Sequence, residues 1–250
     1  VCFESCLPGL GKADGTPRRA LSNPNPAKVP KPLGRKERQD KLSSDDVFRI
    51  VGLHLDEKSV VVCDTGDALL GAIGLRTAKR QEFIADAYYL SMGFAVPASI
   101  GVMAADPKKR VFTIVGDGAF QMTGMELSTV VREGMSPIVI ILNNDGYGTQ
   151  RFILDGKFNE IQGWDYTKVC EVIRGGQATV VETKGQLDGA LTQALSSDEL
   201  SLIEVRLPRD SCSPALRALG EELSRRRSAG VPDKPKTTRR QQPARHAESV

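Results

Sequence analysis

Val111–Val115 (VFTIV) runs straight into Gly116-Asp117-Gly118, and Pro137–Leu142 (PIVIIL) runs straight into Asn143-Asn144-Asp145-Gly146. One amphipathic stretch, Met122–Glu133, separates them. A short, continuously apolar run bounded by turn residues reads as a strand buried on both faces. A helix-length passage between two such runs reads as a crossover. Such crossovers are right-handed, so the two strands are parallel and neighbours or near-neighbours. The same alternation extends outward. Val60–Cys63 reads as an earlier buried strand, and Ser91–Ala105, small and apolar with Pro97 inside it, reads as a tightly packed helix. Ser44 is the expected N-cap of a helix over Asp45–Leu55. Later, Ala178–Glu182 and Leu202–Val205 read as strands around a helix at Gln186–Leu195, and a last helix covers Ser213–Leu223. The expected fold is α/β, a doubly wound, mostly parallel sheet with helices on both faces and no internal repeat.

The chain has 250 residues, 40% hydrophobic and 26% charged. That composition excludes a membrane protein, a coiled coil and a wholly disordered chain. Its net charge of +3 conceals segregation. Residues 1–43 carry 9 Lys/Arg against 4 Asp/Glu, and residues 225–250 carry 8 against 2. The middle is acidic, with 17 basic and 25 acidic residues, so the overall charge gives no support to a nucleic-acid-binding face. The expected domains are a Pro-rich linker or remnant of a preceding domain over 1–43, a folded domain over 44–224, and a basic disordered tail over 225–250. Five scattered cysteines (Cys2, Cys6, Cys63, Cys170 and Cys212) form no disulfide framework, and only His54 and His246 could join them on zinc. A reducing, cytoplasmic setting is expected.

In a doubly wound sheet, ligands sit beyond the carboxyl ends of the strands. Asp117 and Asn144 therefore converge at one sheet edge. A carboxylate, an amide oxygen and a nearby carbonyl are hard donors that suit a Mg²⁺ completed by phosphate oxygens. The glycines allow close approach of backbone to phosphate, and the next helix N-terminus offers N–H groups. A nicotinamide-dinucleotide fingerprint fits less well, because Gln121 stands where its third glycine belongs. No phosphate loop of the Gly-x-x-x-x-Gly-Lys-Ser/Thr type is present; Gly9–Lys12 lacks the following hydroxyl. Either turn alone reads as an ordinary strand-to-helix connection. The pair, one crossover apart, reads as a Mg²⁺–diphosphate site.

Gly116-Asp117-Gly118 with Asn143-Asn144, 27 positions from Asp117 to Asn144, resembles the thiamine-diphosphate motif. Asn143–Tyr147, Asp155–Ile161, Trp164–Tyr166, Asp64–Asp67 and Ser91–Ala98 resemble, in order, the pyruvate and indolepyruvate/phenylpyruvate decarboxylases. The likeness covers about Ser44 to Arg227, the diphosphate-binding domain of such enzymes. It implies Mg²⁺ ligation by the side chains of Asp117 and Asn144 and the carbonyl of Gly146. It implies diphosphate contacts from Gly118 and Ala119, with Gly116 and Tyr147 beside them. Thr65, Gly66 and Asp67 match pocket-lining positions, Met92 matches the residue that wedges the cofactor into its bent form, and the carbonyl near Leu90 would meet the aminopyrimidine.

The resemblance implies that a 2-oxo acid loses CO₂ and leaves as an aldehyde, with the cofactor holding the electrons in between. The activating glutamate and the histidine pair of these decarboxylases lie in a pyrimidine-binding domain that nothing here matches. The chain is then a fragment of a longer enzyme or one subunit of a split one, completed across a homodimer or homotetramer interface. Gln150 stands where the decarboxylases carry a proton-transferring glutamate, and an amide donates no proton at neutral pH. An acetolactate-synthase-like carboligase and a non-catalytic cofactor-binding homologue are the alternatives.

Overall fold

The computed structural model describes residues 30–78 and 82–229. The expectations for 1–29 and 230–250 lie outside the described residues. Six strands, β1 (Ser59–Cys63), β2 (Phe83–Ala85), β3 (Arg110–Gly116), β4 (Ile138–Asn143), β5 (Gln177–Val181) and β6 (Ser201–Arg206), form one sheet. Their order is β2-β1-β3-β4-β6-β5 and every pairing is parallel. The chain steps outward from β1 to β2, then returns to place β3 on the other side of β1. The reversal of direction therefore falls between β1 and β3, the crevice where doubly wound folds bind ligands.

Both faces of the sheet are covered, which is why its strands are apolar at consecutive positions. Val61, Cys63, Phe112, Ile114, Ile138 and Ile140 face a core closed by α1 (Ser44–His54), α2 (Asp67–Ala72) and α8 (Lys184–Leu195). Val60, Val62, Val111, Val115, Val139 and Ile141 face a second core. That core is closed by α3 (Ala95–Ala105), α4 (Asp117–Thr123), α5 (Leu127–Arg132) and α7 (Lys168–Val172). The short α6 (Gly148–Arg151) and the last helix α9 (Pro214–Ala229) complete the set. Among the described residues no helix is long and apolar enough to cross a membrane.

Several boundaries differ from expectation. The cap of α1 is Ser43, whose hydroxyl accepts from the Asp46 N–H while Asp46 accepts from the Ser43 N–H. Ser44 instead lies inside the helix, fully buried, its hydroxyl donating to Asp67. Helix α3 starts at Ala95, so Pro97 occupies the first turn, where its missing N–H has no partner to lose. Helix α4 begins at Asp117, immediately after β3, so the expected Gly-rich turn is already helix. The three-residue β2 is too short to carry a periodic signal.

The stretch expected as linker is partly domain. Leu42 is 2% exposed within the first core, and its N–H donates to the Glu182 carbonyl at 2.9 Å. The Lys184 N–H donates to Asp40, and Lys41 bridges to Thr183. At the other end α9 runs on to Ala229, so Arg225–Arg227, expected in a disordered tail, is helical. Replacing Leu42 by Ala is expected to cost about 2–5 kcal/mol, as for other buried leucines. Urea unfolding measures this, and a change under about 0.5 kcal/mol would return Leu42 to the class of surface linker residues.

Candidate cofactor site

The parallel pairing of β3 with β4 sets Gly116 opposite Leu142, so the residues following each strand leave the sheet side by side. Asp117 takes the first position of α4 and is 2% exposed. One carboxylate oxygen accepts the Gly118 N–H at 2.8 Å and the other accepts the Gly146 N–H at 2.9 Å. A single side chain thus ties the two strand ends together. Burial pushes its carboxyl up to about 6; the two amides work against that, the charge of Asp145 adds to it and Arg151 opposes it.

The loop after β4 is shaped by its neighbours. Asn143 donates to Glu204 of β6 at 2.9 Å and accepts from the Asp145 N–H at 3.2 Å. Glu204 is 2% exposed. Asp145 has φ +57° and Gly146 φ +134°, the region that favours glycine. A Cβ at Gly146 would stand 2.2 Å from the Asn159 carbonyl oxygen, and one at Gly148 would stand 2.2 Å from Asn144 Nδ2. The loop therefore packs against backbone at Gly146 and against the Asn144 side chain at Gly148, with no room for a side chain at either glycine. Among the described residues the Asn144 carboxamide makes no hydrogen bond. The Gly146 carbonyl accepts from Gly148 N–H at 2.8 Å and keeps its second lone pair.

The other expected positions fall into two groups. Gly118 lies against the Tyr147 ring, where a Cβ would come within 2.5 Å of it, and its N–H is engaged by Asp117. Ala119 is buried behind it, while Gly116 faces open space. Gly66 approaches Thr149 of α6, which brings the end of β1 to the same edge; Thr65 beside it is half-buried. Met92 packs at the margin of the second core, Leu90 is exposed with φ +56°, and Gln150 is exposed on α6. Asp67 points elsewhere. Its carboxylate accepts from the Ser213 N–H and from the Ser44 hydroxyl, at the starts of α9 and α1.

Two further residues organise the edge. Asp64, fully buried after β1, accepts from the N–H groups of Thr65 at 3.0 Å, Gly93 at 3.1 Å and Ala95 at 2.9 Å. It fastens the Met92 loop to β1, and burial raises its carboxyl above the usual range despite those three donors. Arg151 donates to the carbonyls of Asn144, Asp145 and Arg209. In the sequence Asp64 appears as the first residue of the Asp64–Asp67 stretch, with no role assigned to it. Arg151 carries no signal there, because its partners are backbone atoms. A cavity of about 680 Å³ lies away from this edge, lined among others by Pro30, Phe48, Arg49, Gly71 and Leu75. None of the expected site residues lines it.

Residues 64–205 match the family model of the thiamine pyrophosphate enzymes, C-terminal TPP-binding domain. The chain belongs to that family. An alpha-keto-acid decarboxylase of Mycolicibacterium paratuberculosis is 37% identical over 199 residues, covering 77% of this chain and 35% of that protein. Pyruvate decarboxylase 3 of Arabidopsis thaliana is 32% identical over 200 residues, covering 78% and 34%. The chain thus spans about a third of the length of these relatives. The thiamine diphosphate-dependent 4-hydroxybenzoylformate decarboxylase of Rhodococcus jostii superposes with a TM-score of 0.63 at 23% identity, over 71% of this chain and 36% of that one. That likeness shares the fold.

The edge fits the family's cofactor on its own chemistry. Among the described residues no group of three or more His, Cys, Asp or Glu side chains could hold a metal. A cation at Asp117 would therefore draw on one carboxylate, the unengaged Asn144 carboxamide and the Gly146 carbonyl, and would need phosphate oxygens to complete its shell. In the metal-free chain, Asp117 is expected to titrate near 6, against 3.8 for an unperturbed carboxyl. The folded state then holds a proton that the unfolded chain gives up. This stability is fully present below about 4 and lost as pH rises through about 6. Carboxyl NMR titration of wild type and Asp117→Asn checks it; no carboxyl titrating above 5 that the substitution removes would contradict the burial argument.

Proposed function

We propose that this chain is the diphosphate- and Mg²⁺-binding part of a thiamine-diphosphate-dependent lyase that converts a 2-oxo acid to an aldehyde and CO₂. The observation that carries the reading is the Gly146 N–H donated to Asp117, which joins the ends of β3 and β4 beside the β1–β3 crevice. The names of the relatives support the reaction class. When bound, the cofactor supplies the electron sink for decarboxylation.

The chain's own residues bind and orient. Asp117 and Asn144 hold Mg²⁺ by their side chains, with Gly146 contributing its carbonyl. Gly116, Gly118 and Ala119 border the diphosphate at the start of α4, and Tyr147 closes over Gly118. Thr65 and Gly66 line the side nearest β1. Met92 and the Leu90 carbonyl flank the aminopyrimidine, and Asp64 holds their loop in place. Asp67 serves this site indirectly, by fixing the start of α2. Gln150 takes a hydrogen-bonding role and leaves proton delivery to another acid or to water.

The remaining half of the site comes from a pyrimidine-binding domain, across an interface between copies in a homodimer or homotetramer. Exposed apolar side chains support this, with Tyr88 (86% exposed) and Tyr89 (81%) shortly after β2 and Met122 (53%) in α4, which follows β3 directly. Large exposed apolar side chains of that kind suit a surface that a partner covers. The thiols of Cys63, Cys170 and Cys212 are free, as suits a reducing cytoplasm.

Calorimetric titration of thiamine diphosphate, with and without Mg²⁺, tests the assignment. Wild type is expected to bind only with Mg²⁺, and Asp117→Ala to lose that binding. Binding indifferent to both metal and substitution would sink it.

A further inference from the structure

Arg151 stands at the rim of α6 with its guanidinium under the loop that follows β4. Its Nη1 donates to the Asn144 carbonyl at 2.9 Å and to the Arg209 carbonyl at 3.0 Å, and its Nη2 donates to the Asp145 carbonyl. Its Nε is buried without a partner among the described residues. A Cβ on Gly146 would meet Nη2 at 2.6 Å, so the guanidinium and the loop backbone are in direct contact.

Electrostatics alone argues against a cation at this point. A fixed positive charge beside Asp117 repels any metal held there. The charge already acts on Asp117, since Arg151 holds its carboxyl lower than burial alone would. What the guanidinium supplies is geometry. Two consecutive residues, Asp145 and Gly146, sit at positive φ, and for the aspartate this conformation is unfavourable. A planar fork of donors fixes the Asn144 and Asp145 carbonyls on one side of the loop. With those carbonyls held, the Gly146 N–H faces Asp117 and the Asn144 side chain stays unengaged. Through the Arg209 carbonyl the same group also fastens this loop to the segment that leads into α9.

We infer that Arg151 is a positioning residue that presets the Asn144–Gly146 loop for Mg²⁺, at an electrostatic cost to the metal. This rests on the proposed reading of the loop as a metal site. The two roles of the guanidinium predict opposite signs. If Arg151 acts by holding the loop, Arg151→Met weakens Mg²⁺-dependent thiamine diphosphate binding by about 10–100-fold, the range seen for supports behind metal ligands. If it acts only as a charge, the same substitution tightens binding. Arg151→Lys keeps the charge but loses the fork, and is expected to bind no better than the methionine variant.

The experiment combines calorimetry with amide hydrogen exchange and thermal unfolding of the ligand-free chain. The expected result is exchange of the Gly146 amide at least about tenfold faster in Arg151→Met, with the strand amides unchanged, and weaker Mg²⁺-dependent binding. Unchanged Gly146 exchange, tighter binding, or Arg151→Lys equal to wild type would each overturn the inference. So would a loss of protection across the whole sheet, which marks general support of the fold. Wild type without any Mg²⁺-dependent binding would sink the proposed function instead, while the exchange of Gly146 still decides whether Arg151 holds the loop.

Discussion

The Asp117 carboxylate, buried and bracketed by the Gly118 and Gly146 N–H groups, is the constraint on which the carboxyl edge of the sheet depends. Removing an ionised carboxylate from water is costly unless hydrogen bonds replace the lost hydration. Two amides replace part of it, and the raised titration of the group shows that the replacement is incomplete. The group is held there because β3 and β4 pair directly, which leaves the two loops no other course. Its residual need for positive charge is met by a proton in the metal-free chain and would be met by the proposed cation.

The same device recurs along the edge. Asp64 gathers three N–H groups after β1, and Glu204 of β6 receives the side-chain amide of Asn143 at the end of β4. Each of these carboxylates is at most 2% exposed and each fixes a loop. The sheet thus supplies a rigid floor, and buried acids convert that floor into defined loop positions. Charged groups at the opposite edge tie neighbouring elements together. Lys109 pairs with the buried Glu82, and Arg110 caps the Ala194 and Ser197 carbonyls.

Much of this is legible in the order of the residues alone. Continuous Val and Ile runs ending in Gly-Asp-Gly and Asn-Asn-Asp-Gly point to the parallel sheet, to β3 and β4 as neighbours or near-neighbours and to the candidate site at their ends, because buried strands and their turns are local patterns. What escapes such a reading depends on contacts across the chain. Leu42 reads as linker because its sequence neighbours, Asp40, Lys41, Ser43 and Ser44, are charged or hydroxylic, yet it lies in the first core. Ser43 and Ser44 are indistinguishable as caps until Asp67 claims the second. Asp67 itself matches a pocket-lining position by its motif, whereas its carboxylate serves helix starts far apart in sequence. Arg151 is invisible for the same reason: its partners are carbonyls, which every residue has.

The position of Asp67 also bears on how the chain assembles. Its carboxylate receives the hydroxyl of Ser44, 23 residues earlier, and the N–H of Ser213, 146 residues later. Ser44 in turn donates its N–H to the Ser211 hydroxyl, 167 residues away. Three helix N-termini, those of α1, α2 and α9, therefore meet at one knot that forms only when the segment near Ser213 arrives. Contacts of such long sequence separation carry a high loop-closure cost and form late. During synthesis the start of α2 stays untied until the segment near Ser213 has left the ribosome, which places this knot among the late tertiary contacts of the domain.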